Sequence, residues 1–539
     1  MEKPYNGCSK ELMIPILLMV SILIVGFHQS ATALDSKKIL RMGFAMSDVT
    51  YLDLHPIFGS QDMACHDMIY DGLLRFKPGD VNVIEPDIAE RYQISEDGME
   101  LTFYLRKGVM THPFKGYPEG IEFTSEDVIF SIQKAANPKY SVDANLFKNF
   151  VAEAIDKYTV RVKLTERIPT PERAFADHRG GHMVPKKAFE IIGPVAFKTQ
   201  PVGTGPFRII KYLPGQSIVL TAHEKYWRGR PRLDGVEIWL MPGIKSRELD
   251  LKKGDLHAIE GLQEQAWVEK MKKMPNTKVE VFGPGEIVFL SFNVMKKPFD
   301  NLLVRKAMAY SLSRKETLAF IGSEIADPMC GQVPPFLPGA FTCEGVAKAG
   351  LLYKTDLEMS KAFLRRAGYP KGFSMEQVIS ERPSYRQITE NIQAQWKKIG
   401  ITMKLKIVDH ATYHAQIRKD VNPYVLCICQ CPSASADVLL YNFFHSNSIV
   451  VTGKSPITNF SHCTIVDDLI EKARAETDKE KQIALWKRAQ YKLLQHVISY
   501  PLYMRKQIWA RNSKVKWGYD LKSTFALYPQ VNELTDILK

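Results

Sequence analysis

The chain has 539 residues, of which 45% are hydrophobic and 24% are charged, and its formal net charge is +13. This length and apolar content are enough for two or three domains with cores of their own. The basic residues are scattered along the chain, whereas a nucleic-acid-binding protein would concentrate them, so no nucleic-acid partner is expected. We find no tandem repeat and no low-complexity segment.

The N-terminus has the pattern of a secretory signal peptide. Lys3 and Lys10 precede the apolar run LMIPILLMVSILIVGF, and the small residues Ala31 to Ala33 stand just before the charged LDSKK. A basic start, a short apolar core and a small-residue exit are typical of a peptide that is cleaved after export. We expect residues 1–33 to be removed and the mature protein to be periplasmic; an uncleaved N-terminal anchor is the alternative.

The next segments predict strands and a helix. MELTFYLRKGV and YTVRVKLTE alternate apolar and polar residues, as half-buried strands do. TSEDVIFSIQKAAN places Asp127 three residues after Thr124, ahead of apolar residues at helical spacing, which predicts a capped helix. In PVGTGPFRIIKYLPGQSIVLTAH, a glycine-rich turn feeds one strand and Pro214-Gly215 turns the chain into a second, which predicts a hairpin.

Further along the chain the pattern predicts helices. TENIQAQWKKIG has amphipathic spacing and stops at Gly400, a residue that suits a helix end. VDDLIEKARAETDKEKQIALWKRAQYKLLQHV predicts two helices with a break between Thr477 and Lys479. The mixture of strands and helices predicts an α/β or α+β chain rather than a helical bundle or a β-sandwich.

The common catalytic and metal-binding motifs do not occur in this sequence. HEKYW has Trp227 where a zinc-protease helix carries its second histidine, GKS lacks the first glycine of a phosphate loop, and there is no G-x-S-x-G. His410 and His414 have a spacing that suits a metal on one helix face, although exposed histidines are the commoner reason for it. The sequence therefore favours a non-enzyme, with no cofactor and no metal expected.

Several segments in a fixed order carry a family resemblance. They include LRMGFAMSDVTYLDLHPIF, MIYDGLLRFKPG, PVGTGPFRIIKYLPG, LSFNVMKKPFDNLLVRKAMAYSLSRKE and KAFLRRAGYPKGF. This series resembles the family 5 extracellular solute-binding proteins, the peptide- and nickel-binding components of bacterial ABC importers. The resemblance covers nearly all of the chain after residue 33, and PVGTGPF is its most specific part.

The resemblance implies an α/β, two-lobed fold like that of periplasmic binding proteins (class II type, large family 5 variant), with hinge crossings between the lobes. Lobe I would combine residues 34–80, 200–290 and 505–539, with an inserted subdomain at 81–199. Lobe II would span residues 291–504. A cleft between such lobes is a natural ligand site, and hinge closure would bury the ligand.

The function that the resemblance implies is capture of a solute for an importer. A monomeric substrate-binding component would take a peptide-like or other small organic solute into the cleft and deliver it to ABC permease subunits. Two alternatives stay open. One is a nickel chelate as the solute, and the other is an exported hydrolase or metal-dependent enzyme on an unrelated scaffold.

The run CICQCPSASAD, from Cys427 to Asp437, places three cysteines on alternate residues. If YVLCICQC is a strand, the three share one face, and same-face neighbours about 6–7 Å apart cannot readily pair with each other. Three interpretations are open: inert buried thiols, a disulfide to a distant cysteine such as Cys463, or a soft-metal site. Cys330 and Cys343 flank a turn-rich loop and are a separate candidate disulfide.

The resemblance also places the C-terminal end of this run beside the cleft. Peptide binders of the family carry an aspartate there that pairs with the amino terminus of the ligand. In this chain Pro432 and Ser435 stand where acids are usual, and Asp437 remains as the last acid. A buried ammonium needs a charged partner, so we expect the site to favour a ligand with a carboxylate over one whose main handle is an ammonium.

The remaining candidate ligand contacts follow from the cleft. Arg382 and Arg386 suit a carboxylate, and Tyr385 offers a flat face and a hydroxyl, with solvated surface as the alternative for both arginines. The other candidates are Gln61 and Asp62, Phe292 and Asn293, and Cys429, Gln430 and Cys431. Helix capping is the alternative for Gln61 and Asp62, and a core position is the alternative for Phe292.

Overall fold

The structure is a computed structural model, in which the described part of the chain ends before Lys539. It covers residues 38–538 with the exception of 57–62, 64, 143, 178–179, 431–434, 455–457 and 525. The predicted signal peptide, residues 1–33, lies outside these residues. Within them, no helix is both long and apolar enough to cross a membrane.

Strands and helices are interspersed along the described chain. The first are β1 (Ile39–Phe44), α1 (His66–Ile69), β2 (Leu74–Lys77), β3 (Asp80–Pro86), β4 (Ala89–Ile94), β5 (Glu100–Leu105), α2 (Ser125–Ala136), α3 (Ala144–Phe147), β6 (Phe150–Asp156), β7 (Thr159–Leu164) and α4 (Lys186–Ile192). Next come β8 (Phe207–Leu213), β9 (Ser217–Ala222), β10 (Gly235–Leu240), α5 (Ile244–Lys253), β11 (Ala258–Glu260), α6 (Gln265–Lys272), β12 (Thr277–Phe292), α7 (Leu302–Ser311), α8 (Arg314–Ile321), β13 (Ala326–Pro328), α9 (Cys343–Lys348) and α10 (Leu357–Arg366). The last are β14 (Ser374–Ser380), α11 (Pro383–Lys397), β15 (Thr402–Val408), α12 (His410–Ile417), β16 (Tyr424–Gln430), α13 (Ala436–Phe444), α14 (Asp467–Ala475), α15 (Lys479–Gln495), β17 (Ser499–Asn512), β18 (Val515–Lys516) and β19 (Asp536–Ile537).

One large mixed sheet runs through the molecule. Among the described residues it contains nine strands, in the order β16-β12-β17-β11-β1-β10-β9-β8, with β13 also paired to β17. β1 is parallel to β10 and β11, and the other pairs are antiparallel. Apart from β8, β9 and β10, which follow one another in the chain, neighbouring strands in this sheet come from distant segments, so the sheet joins distant parts of the chain.

β12 and β17 are the two crossings between the lobes. They contain 16 and 14 residues, and a strand of that length reaches about 50 Å. Phe282 on β12 and Trp509 on β17 pack in the core that contains β1, while Phe292 and Tyr503 pack in the core formed by α7, α11 and α13. Each strand therefore begins in one hydrophobic core and ends in the other, as hinge crossings must.

The crossings share a break in their pairing. Their register shifts between Phe282 and Glu286, and the intervening residues include Gly283 and Gly285. A Cβ atom on Gly285 would lie 2.3 Å from the carbonyl oxygen of Arg505, so only glycine fits at this point. The break interrupts the ladder at the level where the two cores meet.

The inserted subdomain has a sheet and a core of its own. Its strands pair in the order β4-β5-β7-β6, and α2 packs on them. The core runs from Leu73 to Met183, whereas Val184 and the chain that follows pack with lobe I. The domain limits predicted from the sequence stay a prediction.

The local predictions are confirmed by the structure. β5, β7 and the β8–β9 hairpin form where alternation and turn residues predicted them. The Asp127 carboxylate accepts a hydrogen bond of 2.8 Å from the backbone N–H of Thr124, which completes the capping box of α2. α11 ends at Lys397, three residues before Gly400, and the break between α14 and α15 falls at residues 476–478.

The PVGTGPF segment fits closely against α1. A Cβ atom on Gly203 would lie 2.0 Å from the carbonyl oxygen of Ile69, and one on Gly205 would lie 2.6 Å from the carbonyl carbon of the same residue. Both glycines are therefore needed for close backbone approach rather than for an unusual φ. His112 fastens the segment, since its Nε2 lies 2.9 Å from the Gly205 carbonyl oxygen and its Nδ1 accepts from the Gly203 N–H.

Candidate functional site

A group of polar side chains lies at the break in the crossings. Glu286 of β12 and Arg505 of β17 form an ion pair of 3.1 Å, and the two side chains are 22% and 13% exposed. Glu260, at the end of β11, accepts a hydrogen bond from the backbone N–H of Ala45 at 2.9 Å. Burial raises the pKa of Glu260 and the Glu286 carboxylate adds to that effect, while Ala45, Arg247 and Arg505 oppose it. A charged group from lobe I thus meets the crossing strands.

Lobe II covers the same place from the other side. β16 pairs with the lobe II half of β12, so that Cys429 lies opposite Ile287 and Gln430 lies opposite Glu286. Tyr385, in the first turn of α11, donates a hydrogen bond of 3.4 Å to the Ile428 carbonyl oxygen. Burial raises the pKa of Tyr385, and the Glu286 carboxylate raises it further because the two groups are close. We call Glu260, Glu286, Tyr385, Cys429 and Arg505 the interlobe floor.

A pair of histidines borders the floor on lobe II. His410 and His414 bring their Nε2 atoms within 3.1 Å, and the Nδ1 of His410 lies 3.0 Å from the Ser380 hydroxyl. The His410 ring stands 5.4 Å from that of Tyr385. Burial lowers the pKa of His410 to about 4, and the Arg382 guanidinium adds to that effect. Both histidines are half-buried and neutral near pH 7, rather than exposed as the sequence predicted. Within the described chain, no three side chains that could bind a metal come together.

Asp437, the last acid of the run, is already paired. Its side chain is 1% exposed and accepts from Arg474 at 3.0 Å from Nε and at 2.9 Å from Nη2. The Arg474 guanidinium stacks 3.7 Å from the centroid of the Tyr441 ring. A bidentate pair of this kind satisfies the carboxylate within lobe II, which leaves it little capacity for a ligand ammonium.

The other candidates named from the sequence occupy varied places. Phe292 is fully buried in lobe II against Phe299, Trp396 and Tyr424, which is the alternative raised for it. Asn293 is buried too, and its Nδ2 donates to Asp420 at 2.8 Å. Gln61, Asp62 and Cys431, with the side chain of Gln430, lie outside the described residues.

The two arginines of α11 differ in their surroundings. Arg386 points along the exposed face of the helix and pairs with Glu390, four residues on, at 2.7 Å. Arg382 is exposed at the N-cap position beside the histidine pair, and its charge acts on both His410 and His414. The structure brings Arg382, Tyr385 and Cys429 together near the floor and leaves Arg386 on the helix surface.

The structure shows which of the described cysteines form a disulfide and which are free thiols. Cys330 and Cys343 form the disulfide that was a candidate from the sequence, with their Cα atoms 4.9 Å apart. Cys427 and Cys463 are buried thiols, so the alternative of a disulfide to Cys463 is wrong. Burial raises the pKa of Cys427 well above that of an exposed thiol, which makes it unreactive.

A second polar cluster lies deeper in lobe I. Asp71 accepts hydrogen bonds from the Thr204 hydroxyl at 3.0 Å, the Tyr226 hydroxyl at 3.0 Å and the Trp227 Nε1 at 3.1 Å. Burial and then the neighbouring Asp87 carboxylate raise the pKa of Asp71, and the three donors oppose this rise. We call these residues the Asp71 cluster. Both carboxylate oxygens of Asp71 therefore accept hydrogen bonds from the protein itself.

Sequence reasoning missed Glu260, Glu286 and Arg505. The last two are charged residues inside strands that are otherwise largely apolar, GEIVFLSF and YMRKQIWA. A charge in such a strand is costly unless it is paired or solvated, and that was the signal that could have found them.

Comparisons with known proteins show the family and the fold of this chain. A family model described as bacterial extracellular solute-binding proteins, family 5 Middle, matches residues 83–449. The structure of MoaA from A. tumefaciens R10 in complex with mannopinic acid is 35% identical, covers 94% of this chain and 100% of its own, and has a TM-score of 0.82.

Two curated proteins are similar over most of their length. Heme-binding protein A of Haemophilus influenzae is 29% identical over 80% of this chain and 81% of its own. The dipeptide-binding protein of Escherichia coli is 27% identical over 78% of this chain and 81% of its own. The α/β, two-lobed fold predicted from the sequence is confirmed by these similarities together with the two cores and the crossings.

Proposed function

Because this chain belongs to the bacterial extracellular solute-binding proteins of family 5, we propose that it is the substrate-binding component of an ABC importer. It captures a peptide-like or other small organic solute between its lobes and delivers it to permease subunits after export to the periplasm. The observation that carries this proposal is the interlobe floor, because Glu286 and Arg505 lie on the crossing strands where both lobes meet. Lobes that close over such a floor bury a solute and present one shape to a membrane partner.

The class of solute follows from the acids that are engaged. Asp437 is held by Arg474, and Glu286 is held by Arg505, so neither carboxylate is left to neutralise a ligand ammonium. Arg382 is exposed at the edge of the floor, and no acid of the described chain forms an ion pair with it. A partly desolvated arginine–carboxylate pair is stronger than a neutral hydrogen bond, so the site favours a solute with a carboxylate. The relative at 35% identity, MoaA, was solved with an acid bound, mannopinic acid.

Native mass spectrometry of the purified protein tests the proposal directly. We expect a small organic molecule bearing a carboxylate to be retained at a ratio of one per chain. Isothermal titration would then compare a free dipeptide, its N-acetylated form and its C-amidated form, with mannopinic acid as a further probe.

The expected order follows from the charges. Acetylation should change affinity little and amidation should lower it markedly, since the carboxylate is the handle. Loss of binding on acetylation would show that an acid anchors the ligand ammonium after all. Turnover of any of these probes would instead favour the alternative of an exported hydrolase.

A further inference from the structure

The segment between the disulfide cysteines, residues 331–342, is fastened tightly to lobe II; we call it the clasp segment. The Cys330–Cys343 bond closes its two ends. Within it, the Val333 N–H donates to Gln490 Oε1 at 3.1 Å, and the Gly339 carbonyl accepts from Gln490 Nε2 at 2.7 Å. One buried amide of α15 therefore holds the segment at two points, which gives it a defined shape although it is neither helix nor strand.

The clasp segment presents one aromatic side chain to the inserted subdomain. Phe336 follows Pro334 and Pro335, whose rings restrict the backbone ahead of it. Its side chain is partly buried and packs against two hydrophobic cores, that of lobe II and that of the inserted subdomain. These cores belong to units on opposite sides of the crossings, so Phe336 is an apolar contact between the lobes.

Opposite charges accompany this contact. The loop of the inserted subdomain that contains Glu166 and Glu172 faces the stretch of lobe II that contains Arg474 and Lys479. Burial lowers the pKa of Arg474, but the carboxylate of Asp437 and, more weakly, that of Glu166 outweigh it. Burial raises the pKa of Glu172, and the charge of Lys479 is among the effects that oppose it. Glu166 and Glu172 of the inserted subdomain are therefore each within electrostatic range of a basic residue of lobe II.

We propose that Phe336 is a positioning residue for solute capture. Held by the disulfide-closed clasp segment, it fastens lobe II to the inserted subdomain and so stabilises the closed arrangement, in which the lobes cover the interlobe floor. This inference rests on the proposed function for its purpose, but the contact itself is independent of any solute. A rigid segment loses little conformational freedom when the lobes close, so a single apolar contact on it shifts the closure equilibrium effectively.

Hydrogen exchange without added solute tests the contact. In Phe336→Ala we expect exchange in residues 166–176 of the inserted subdomain to rise about fivefold, because the hydrophobic core that contains Ala174, Phe175 and Ala176 loses an apolar contact. A larger radius of gyration in small-angle X-ray scattering should accompany the change. Phe363→Ala is the matched control, since Phe363 is also a partly buried aromatic but packs against the lobe II core alone. It should raise exchange within lobe II and leave residues 166–176 unchanged.

A second variant tests the contribution of the disulfide while the Phe336 ring is kept. Cys330→Ser combined with Cys343→Ser keeps Phe336 but releases the ends of the clasp segment, and we expect the same change in residues 166–176 with a smaller amplitude. Unchanged exchange there in Phe336→Ala would overturn the proposal. Because every measurement is made on solute-free protein, a failure to find any bound solute would count against the proposed function and not against the clasp.

Discussion

The interlobe floor and the Asp71 cluster are both polar, buried and rich in charge, but they differ in how far their charged groups are exposed to solvent. In the Asp71 cluster, three donors converge on one carboxylate and no acceptor of that side chain is left over. In the floor, Glu286 and Arg505 keep 22% and 13% of their side-chain surface exposed at the junction of two lobes. Shifted pKa values mark both places, so such shifts alone do not identify a binding site. What separates them is whether the groups retain access to solvent.

The largest effect should come from breaking the Asp71 cluster. Asp71→Ala leaves the Thr204 hydroxyl, the Tyr226 hydroxyl and the Trp227 N–H without their acceptor, and we expect a loss of about 3–5 kcal/mol in the free energy of unfolding. Urea denaturation followed by tryptophan fluorescence measures it. Glu358→Ala, at an exposed pair with Lys361, is the control and should change stability by less than about 0.5 kcal/mol. A loss below about 1 kcal/mol at Asp71 would remove the distinction between the two clusters.

Next in size is the pair that occupies the last acid of the cysteine run. Arg474→Gln leaves the Asp437 carboxylate, 1% exposed, without its charged partner, and we expect about 2–4 kcal/mol of destabilisation. The matched control lies on the same helix: Lys472→Gln breaks an exposed pair with Asp468 and should be nearly silent. Equal stabilities for the two variants would mean that Asp437 is not held as the geometry indicates.

Acid should weaken the packing around the PVGTGPF segment of lobe I. His112 supports the PVGTGPF segment as a neutral ring, and burial, reinforced by His223, lowers its pKa to about 3. The unfolded chain takes up a proton near pH 6.5 that the folded chain refuses, so this contribution is complete above pH 6.5 and is lost as the pH falls toward 3. We expect about 3 kcal/mol of lost stability from His112 between pH 7 and pH 4. A His112→Gln variant should show a flatter curve, and an identical curve would contradict the assignment.

The floor should respond in binding rather than in stability. Arg505→Gln should weaken solute binding about tenfold, because the substitution removes a positive charge from the floor. The free energy of unfolding should change by less than about 1 kcal/mol. Lys506→Gln is the adjacent control, since Lys506 pairs with Asp327 instead of Glu286. Calorimetry with the solute identified by mass spectrometry measures both. Equal affinities would place the solute elsewhere in the cleft.

The smallest effect belongs to the arginine that the structure leaves on the helix surface. Arg386→Ala removes an exposed pair with Glu390, which is worth about 0.3–0.5 kcal/mol, and we expect unchanged solute affinity. Arg382→Ala, by contrast, should lower affinity for a carboxylate-bearing solute. If Arg386→Ala is the variant that loses affinity, α11 presents a different face to the cleft than the one described.

How much could be predicted from the sequence depended on the distance between interacting residues. The capping box of α2, the β8–β9 hairpin and the Cys330–Cys343 bond all join residues that are close in the chain. Short-range patterns predicted the first two and made the third a candidate. The Glu286–Arg505 pair joins residues more than two hundred positions apart, and no local pattern reports that register. The same holds for Asp437, because its partner Arg474 stands on a different helix. Family resemblance supplied the lobes, but the floor required the strand pairing.

The break at Gly283 and Gly285 has a mechanical consequence. Two separate tethers would let the lobes swing in any direction, but β12 and β17 are hydrogen-bonded to each other on both sides of the break. A ribbon of two strands bends easily across its plane and resists bending within it, so the joint behaves as a flat spring with one soft direction. We expect the lobes to open and shut along a single path and to return elastically to one resting angle. Every encounter with a solute then starts from the same geometry.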